Sequence, residues 1–212
     1  LNLEDKVVLV TGSSGGLGAQ ICYEAAKEGA IVVACARRES LINEVKEECQ
    51  RLSGRKAYAF LVDVSDPDSV DELYERVMQE IGRVDILVNN AGFGIFEDFL
   101  SFDLAKAYDM FEVNVLGMMV LTQKFAIDMA ERRHGHIINI ASMAGKMATA
   151  KSTIYSATKF AVLGFSNALR LELKPLGVAV TTVNPGPIAT DFFDKADPSG
   201  SYLEKVSQLV LE

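Results

Sequence analysis

Lys6-Val7-Val8-Leu9-Val10-Thr11-Gly12-Ser13-Ser14-Gly15-Gly16-Leu17-Gly18 is the stretch on which the fold turns. Its first half is an unbroken aliphatic run, the pattern of a strand buried on both faces of a parallel sheet. Its second half is a glycine turn that leads straight into a helical segment, Ala19 to Glu28, closed by Gly29. Strand, glycine turn and helix in that order give such glycines a use. Gly12 allows a tight turn, Gly16 lets a pyrophosphate approach backbone N–H groups at the helix start, and Gly18 permits close packing of helix on strand. Without that context the same residues would read as a flexible surface loop.

Outward from this stretch the chain alternates. Ile31 to Ala36 reads as a second strand, Glu39 to Leu52 as a charged helix and Lys56 to Val62 as a third strand. Pro67 to Ile81 follows as a helix with Asp66 as its N-cap, then Val84 to Asn89 as a fourth strand. Asp103 to Arg132 reads as one long helix rich in Met and Leu, His136 to Ser142 as a fifth strand, Thr153 to Leu176 as a helix and Val178 to Asn184 as a sixth strand. This order predicts an α/β fold, a single Rossmann-type domain over residues 1–212 with a doubly wound parallel sheet and helices on both faces. A ligand then lies across the carboxyl ends of the strands. The long irregular stretch from Pro185 to Gly200 is the candidate lid, and Tyr202 to Leu211 reads as a further helix.

Composition narrows the partners. With 212 residues, 49% apolar and 24% charged, the chain suits one well-filled core. A net charge of -8 without a basic face argues against nucleic acid. The sequence has no run of ~18 uninterrupted apolar residues and no basic-then-apolar start, so no membrane partner is expected, and the location expected is cytoplasmic, although Leu1 is not an initiator methionine. Cys22, Cys35 and Cys49 lack metal-like spacing and suit reduced thiols without a chemical role. His134 and His136 flank a glycine before a strand and read as turn residues, so no metal site is expected.

The chemistry points to Tyr155-Ser156-Ala157-Thr158-Lys159. Four residues apart on a helix, the phenol and the ammonium project into one site. A tyrosine of pKa ~10 is a poor proton donor or acceptor at neutral pH, and a fixed positive charge favours its phenolate. Ser142, at the end of the fifth strand, can hold a substrate oxygen beside the phenol. Tyr and Lys at this spacing also occur by chance on many helices.

The Thr11–Gly18 motif, Asn89-Asn90-Ala91-Gly92, Asn114, Ser142, Tyr155 with Lys159, and Pro185-Gly186 with Thr190 resemble, in order and spacing, the short-chain dehydrogenase/reductase family, in its single-domain form. The resemblance implies a catalytic set of Asn114, Ser142, Tyr155 and Lys159. In it Tyr155 is the general acid toward a carbonyl, or base toward an alcohol, and Lys159 lowers its pKa and holds the nicotinamide ribose. Ser142 orients the substrate oxygen, and the Asn114 position holds a water that links the lysine to solvent. It further implies dinucleotide contacts from Gly12, Ser14, Gly16, Leu17, Gly18, Arg37, Arg38, Asp63, Val64, Asn90, Ala91, Gly92, Tyr155, Lys159, Pro185, Gly186, Ile188 and Thr190. Asp63 is equally readable as a turn cap. Family members continue past the position of Glu212 with a helix and a seventh strand, so the sheet edge at the sixth strand is expected to be uncovered.

The end of the second strand speaks to cofactor choice. An NAD enzyme usually places a carboxylate there for the ribose hydroxyls, whereas this chain has Ala36 followed by Arg37 and Arg38. A guanidinium pairs bidentately with a 2′-phosphate, so NADP(H) is expected over NAD(H), with carbonyl reduction as the working direction. Phe93, Ile95, Phe96, Met143, Ile188, Phe192 and Phe193 are expected to rim the substrate pocket and to suit a lipophilic ketone or aldehyde as the small-molecule partner. Only Lys146 and Lys151 are near enough to serve an acidic substrate. The alternative from another class is a dinucleotide-binding redox sensor without turnover. The apolar surplus on the two long helices (Met110, Leu116, Met118, Met119, Leu121, Phe125, Met129; Phe160, Leu163, Phe165, Leu169) predicts a homodimer, or a homotetramer where the missing elements are present.

Overall fold

The structure is a computed structural model that describes residues 3–206 other than 189, 191 and 199. Six strands form one parallel sheet: β1 (Val7–Thr11), β2 (Ile31–Ala36), β3 (Tyr58–Leu61), β4 (Ile86–Asn89), β5 (Gly135–Ile140) and β6 (Val178–Val183), in the order β3-β2-β1-β4-β5-β6. Leu9 pairs with Val33 on one side and Leu87 on the other, so strand order reverses at β1 and β4. The loops leaving those two strands diverge there, which opens a crevice at their carboxyl ends.

Helices cover both faces, as the alternation predicts. Helices α1 (Gly16–Lys27) and α2 (Glu39–Ser53) bury Cys22, Ala26, Ile42 and Val45 against Val8, Val10 and Val32. On the opposite face, α3 (Pro67–Glu80), α5 (Met118–Glu131) and α6 (Thr153–Leu173) bury Leu73, Leu121, Phe125 and Leu173 against Leu9, Val33, Leu87 and Ile137. Alternate residues of each strand thus feed two separate cores. Asp66 caps α3 as expected by accepting from Asp68 N at 3.0 Å. Among the described residues strand β6 pairs with β5 alone, and it exposes Ala179, Thr181 and Val183.

The stretch expected as one helix from Asp103 to Arg132 is built differently. Helix α4 (Leu104–Phe111) is capped by Asp103 and gives way to a π-helical turn, Glu112–Gly117, before α5 begins. A Cβ on Gly117 would lie 2.1 Å from the Val64 carbonyl oxygen, so a glycine lets this turn press against the loop after β3. The residues expected as surplus apolar surface divide in three, with Met119, Leu163, Phe165 and Leu169 partly buried against the core. Met110, Met118, Leu121, Phe125 and Met129 fill the chain's own core, whereas Leu116 and Phe160 are exposed. Leu104–Glu131 is apolar enough to pass for a membrane span by length, yet half of its most apolar window is buried.

Beyond β6 the irregular stretch carries two short helices, α7 (Phe192–Ala196) and α8 (Ser201–Val206). The remainder of the helix predicted to reach Leu211 lies outside the described residues. His136 proves to be a strand residue paired with Thr181 Oγ1 at 2.8 Å, and His134 neighbours Lys6. The three cysteines are buried and free.

Candidate active site

The crevice is a cleft of about 1020 Å³, lined by residues from the carboxyl ends of the strands. At its floor, the Thr11 hydroxyl accepts from Asn90 N at 3.1 Å and Ala91 N at 3.0 Å, which ties the ends of β1 and β4 together. The Asn90 amide, expected on a ribose, donates instead to Thr11 O and Gly12 O at 3.0 and 3.2 Å. Gly12 has φ 64°, and a Cβ there would stand 2.8 Å from the Ala91 Cα; one on Gly18 would stand 2.4 Å from the Gly12 oxygen. Above them, the start of α1 has no side-chain cap, and Gly15 and Gly16 are exposed. A helix of this length with free first-turn N–H groups facing a cleft fits a dinucleotide's pyrophosphate. Thr190 faces Gly16, with its Cβ 3.7 Å from where a Gly16 Cβ would be.

At the far end of the cleft, buried Ala36 closes β2 and the two arginines follow. Arg37 Nη1 stands 3.7 Å from Asp63 Oδ2, and Arg38 donates to Ser14 Oγ at 2.8 Å. Burial raises the Asp63 carboxyl, but hydrogen bonds from Ser65 and the charge of Arg37 outweigh it and hold it below its ordinary range. Asp63 is therefore both things the sequence allowed, a turn cap that accepts from Ser65 N at 3.0 Å and a wall of the cleft.

The reacting groups converge at the opposite end. Ser142 follows β5 in an extended conformation, accepts from Ala144 N at 3.1 Å and lies near enough to the Tyr155 phenol to favour its ionised form. The next peptide, Met143 N, donates to Pro185 O at 2.9 Å and so anchors the loop after β6. Tyr155 is only 8% exposed, with its ring 5.3 Å from that of Phe96 and 5.8 Å from that of Phe192. Lys159 Nζ is 5.7 Å from the phenol's ring centre and donates to Ile140 O at 3.1 Å.

The expected depression of the phenol's pKa is not what this environment produces. Burial pushes the Tyr155 phenol up to about 12, with the Ser142 hydroxyl pulling the other way and Tyr202 adding to the rise. Burial also pulls the Lys159 ammonium down to about 8. Apolar walls oppose the formation of charge on both groups, and the ammonium, aimed at a carbonyl, does not offset this for the phenol. A protonated phenol beside a serine hydroxyl is a donor suited to a carbonyl oxygen.

Asn114 lies behind this end of the cleft and does not line it. Its side chain accepts from Phe93 N at 2.9 Å and donates to Phe93 O at 2.8 Å and Thr158 Oγ1 at 3.2 Å. The side chain is thus committed to the loop after β4 and to α6. A Cβ on Gly92 would come within 3.1 Å of Asn114 Oδ1 and 3.7 Å of Lys159 Nζ. Every other expected site residue, Leu17, Val64, Pro185, Gly186 and Ile188 among them, lines the cleft, and so do all seven expected rim residues. Lys151 turns away to Ser201 Oγ at 3.0 Å, and Lys146 is exposed.

Some contributors escaped the sequence. Tyr202 stacks on Phe96 at 4.1 Å and 12°, and its hydroxyl meets Thr149 Oγ1 at 3.0 Å. Gly94 admits the catalytic end itself: a Cβ there would stand 3.0 Å from the Tyr155 ring and 2.9 Å from Phe192. The alternation Gly92-Phe93-Gly94 was the available signal for Gly94; nothing local marks Tyr202. Among the described residues no group of His, Cys, Asp and Glu could hold a metal ion.

A parallel sheet with an uncapped helix start at its switch point, joined to a buried Ser–Tyr–Lys corner, defines a dinucleotide-dependent oxidoreductase. Residues 6–199 match the short chain dehydrogenase family, and the chain belongs to the short-chain dehydrogenase/reductase family of NAD(P)-dependent enzymes acting on CH–OH or carbonyl groups. An uncharacterised oxidoreductase of Staphylococcus saprophyticus is 37% identical over 197 residues, covering 93% of this chain and 84% of that protein. The structure of L-sorbose reductase from Gluconobacter frateurii with NADPH and L-sorbose matches at 32% identity and TM-score 0.89, over 98% of this chain and 82% of that one. That of an NAD⁺-bound xylitol dehydrogenase matches at 25% identity and TM-score 0.86, over 89% and 73%. Relatives on this fold thus use either dinucleotide.

Proposed function

We propose that the protein reduces lipophilic ketones or aldehydes with NADPH. The observation that carries this reading is the layout of one cleft: two arginines directly after Ala36 where β2 ends, Arg37 beside Asp63, and a protonated phenol walled by aromatic rings at the other end. The dinucleotide, when bound, supplies the hydride. The chain's own residues do the rest. The uncapped start of α1 takes the pyrophosphate, Ser142 and Tyr155 hydrogen-bond the carbonyl oxygen, and Tyr155 gives it a proton. Lys159 neighbours the phenol and is the route by which that proton is replaced. Phe93, Ile95, Phe96 and Phe192 exclude water and favour an apolar substrate body.

Turnover of NADPH with 2-octanone, acetophenone, cyclohexanone and octanal tests the reaction; no turnover with any of them overturns it. For cofactor choice, the ratio of kcat/KM for NADPH over NADH is measured in the wild type, Arg37→Ala and Arg38→Ala. Because Arg37 already rests on Asp63 and Arg38 on Ser14, both guanidiniums are held close to where a 2′-phosphate would lie. Losing a charged hydrogen bond costs about 1.5–3 kcal/mol, roughly ten- to a hundredfold, for NADPH alone. Equal use of both cofactors by the wild type, or a loss shared equally by NADH, rules the assignment out.

The exposed Leu104, Tyr108, Leu116 and Ile127 on the α4–α5 stretch and Phe160 and Leu171 on α6 support a homodimer through these helices. Light scattering at micromolar concentration is expected to give twice the chain mass, and a monomer mass counts against it.

A further inference from the structure

A row of buried polar side chains crosses the core between α5 and α6. Asn89 at the end of β4 donates through Nδ2 to Thr122 Oγ1 on α5 and to Asn139 Oδ1 on β5, both at 2.8 Å. Asn139 donates in turn to Ser166 Oγ on α6 at 2.9 Å, and Ser166 donates to Val162 O at 2.7 Å. All four side chains are buried, Asn139 and Ser166 completely. The row is not arranged for stability alone, because the buried Asn89 Oδ1 has no hydrogen-bond partner among the described residues. A polar row kept at such a cost specifies position, since each amide and hydroxyl accepts only a narrow range of separations.

What it positions follows from helix geometry. Tyr155, Lys159, Val162 and Ser166 follow one another at spacings of four, three and four, so they share one face of α6. That face is tied to β5 at two points. Ser166 is held by Asn139, and Lys159 Nζ by the carbonyl of the very next residue, Ile140. Two ties to adjacent residues of one strand fix both the height and the rotation of the helix against the sheet. Ser142, which lines the same end of the cleft as Tyr155, is carried by the continuation of the same strand. The donors that meet the substrate oxygen therefore come from two elements whose relative setting the Asn139–Ser166 bond controls.

We infer that Asn139 and Ser166 are positioning residues for the reaction, acting through α6 to hold Tyr155 and Lys159 against Ser142. The inference rests on the catalytic roles proposed for that trio. A displacement of ~1 Å in a reacting group costs up to about a hundredfold in rate. Loosening one of two ties is accordingly expected to lower kcat about tenfold while the pyrophosphate site, built on another helix, is untouched.

The experiment is Ser166→Ala, assayed with NADPH and whichever of the four carbonyl compounds the wild type turns over fastest. Expected are a kcat about tenfold lower, an NADPH dissociation constant raised by a clearly smaller factor by fluorescence titration, since Lys159 shifts while the pyrophosphate site does not, and a displaced pH midpoint of kcat. Ser166→Thr keeps the hydroxyl and is expected to restore rate and midpoint. An Ala variant with wild-type kcat and pH profile overturns the inference, and so does a loss shared equally by NADPH binding, which would mean general damage to the fold. If Tyr155→Phe is inactive while Ser166→Ala is unaffected, only the positioning role falls; if Tyr155→Phe stays active, the catalytic reading beneath it falls.

Discussion

Tyr155→Phe is expected to lose about 10²- to 10⁴-fold in turnover while still binding NADPH, because it removes one proton donor and nothing else. The ring's contacts explain why the fold should survive. Phe96 meets it edge-on and Phe192 at a tilt, contacts that a phenylalanine ring keeps, and nearby Ser142 keeps its bond from Ala144 N. At neutral pH a phenol pushed up to about 12 is protonated in the folded and the unfolded chain alike, so removing its hydroxyl leaves the charge balance of folding unchanged. Since that phenol stays protonated through the neutral range, the wild type is set up to donate a proton in reduction, and the loss should be visible in single-turnover NADPH oxidation. A variant retaining more than about a tenth of wild-type turnover would show that the acid is some other group.

The parts of this site that are legible in sequence are those built from neighbours along the chain. Thr11 to Gly18 carries its own turn, helix start and close approach, Asp66 caps the helix it precedes, and Tyr155 and Lys159 share a helix face at a spacing of four. What depends on meetings across the fold was not legible. One residue inserted into a helix to make the π turn leaves the apolar periodicity of Leu104 to Glu131 almost unchanged, and only Gly117, pressed on Val64, betrays it. The pairing of Arg37 with Asp63 and the stacking of Tyr202 on Phe96 join segments with no shared pattern. The rise of the Tyr155 pKa is hidden for the same reason: the lysine charge is visible four residues away, whereas the burial that raises the phenol is built by Phe96 on the loop after β4, Phe192 on α7 and Tyr202 on α8.

Lys159→Met is expected to abolish turnover and yet yield a more heat-stable protein at neutral pH. The wild-type ammonium is 6% exposed, and burial lowers its pKa from 10.5 to about 8. The unfolded chain therefore binds this proton more tightly than the folded one, which destabilises the fold. That penalty is fully present below pH 8, shrinks as the pH rises from about 8 to 10.5, and is gone above. At 1.36 kcal/mol per unit it amounts to about 3 kcal/mol. Methionine, similar in length and apolar, avoids it, but leaves Ile140 O without the Lys159 hydrogen bond, which returns about 1 kcal/mol. A net gain of about 2 kcal/mol corresponds to a Tm roughly 4–8 °C higher for a domain of this size. The difference between variant and wild type should be greatest at pH 7, narrow through pH 9 and vanish or reverse near pH 10.5. A variant less stable than the wild type at pH 7, or a gap indifferent to pH, would mean that the lysine is not held against its own desolvation. The stability surrendered by the wild type would then need another source than the charge it keeps beside Tyr155.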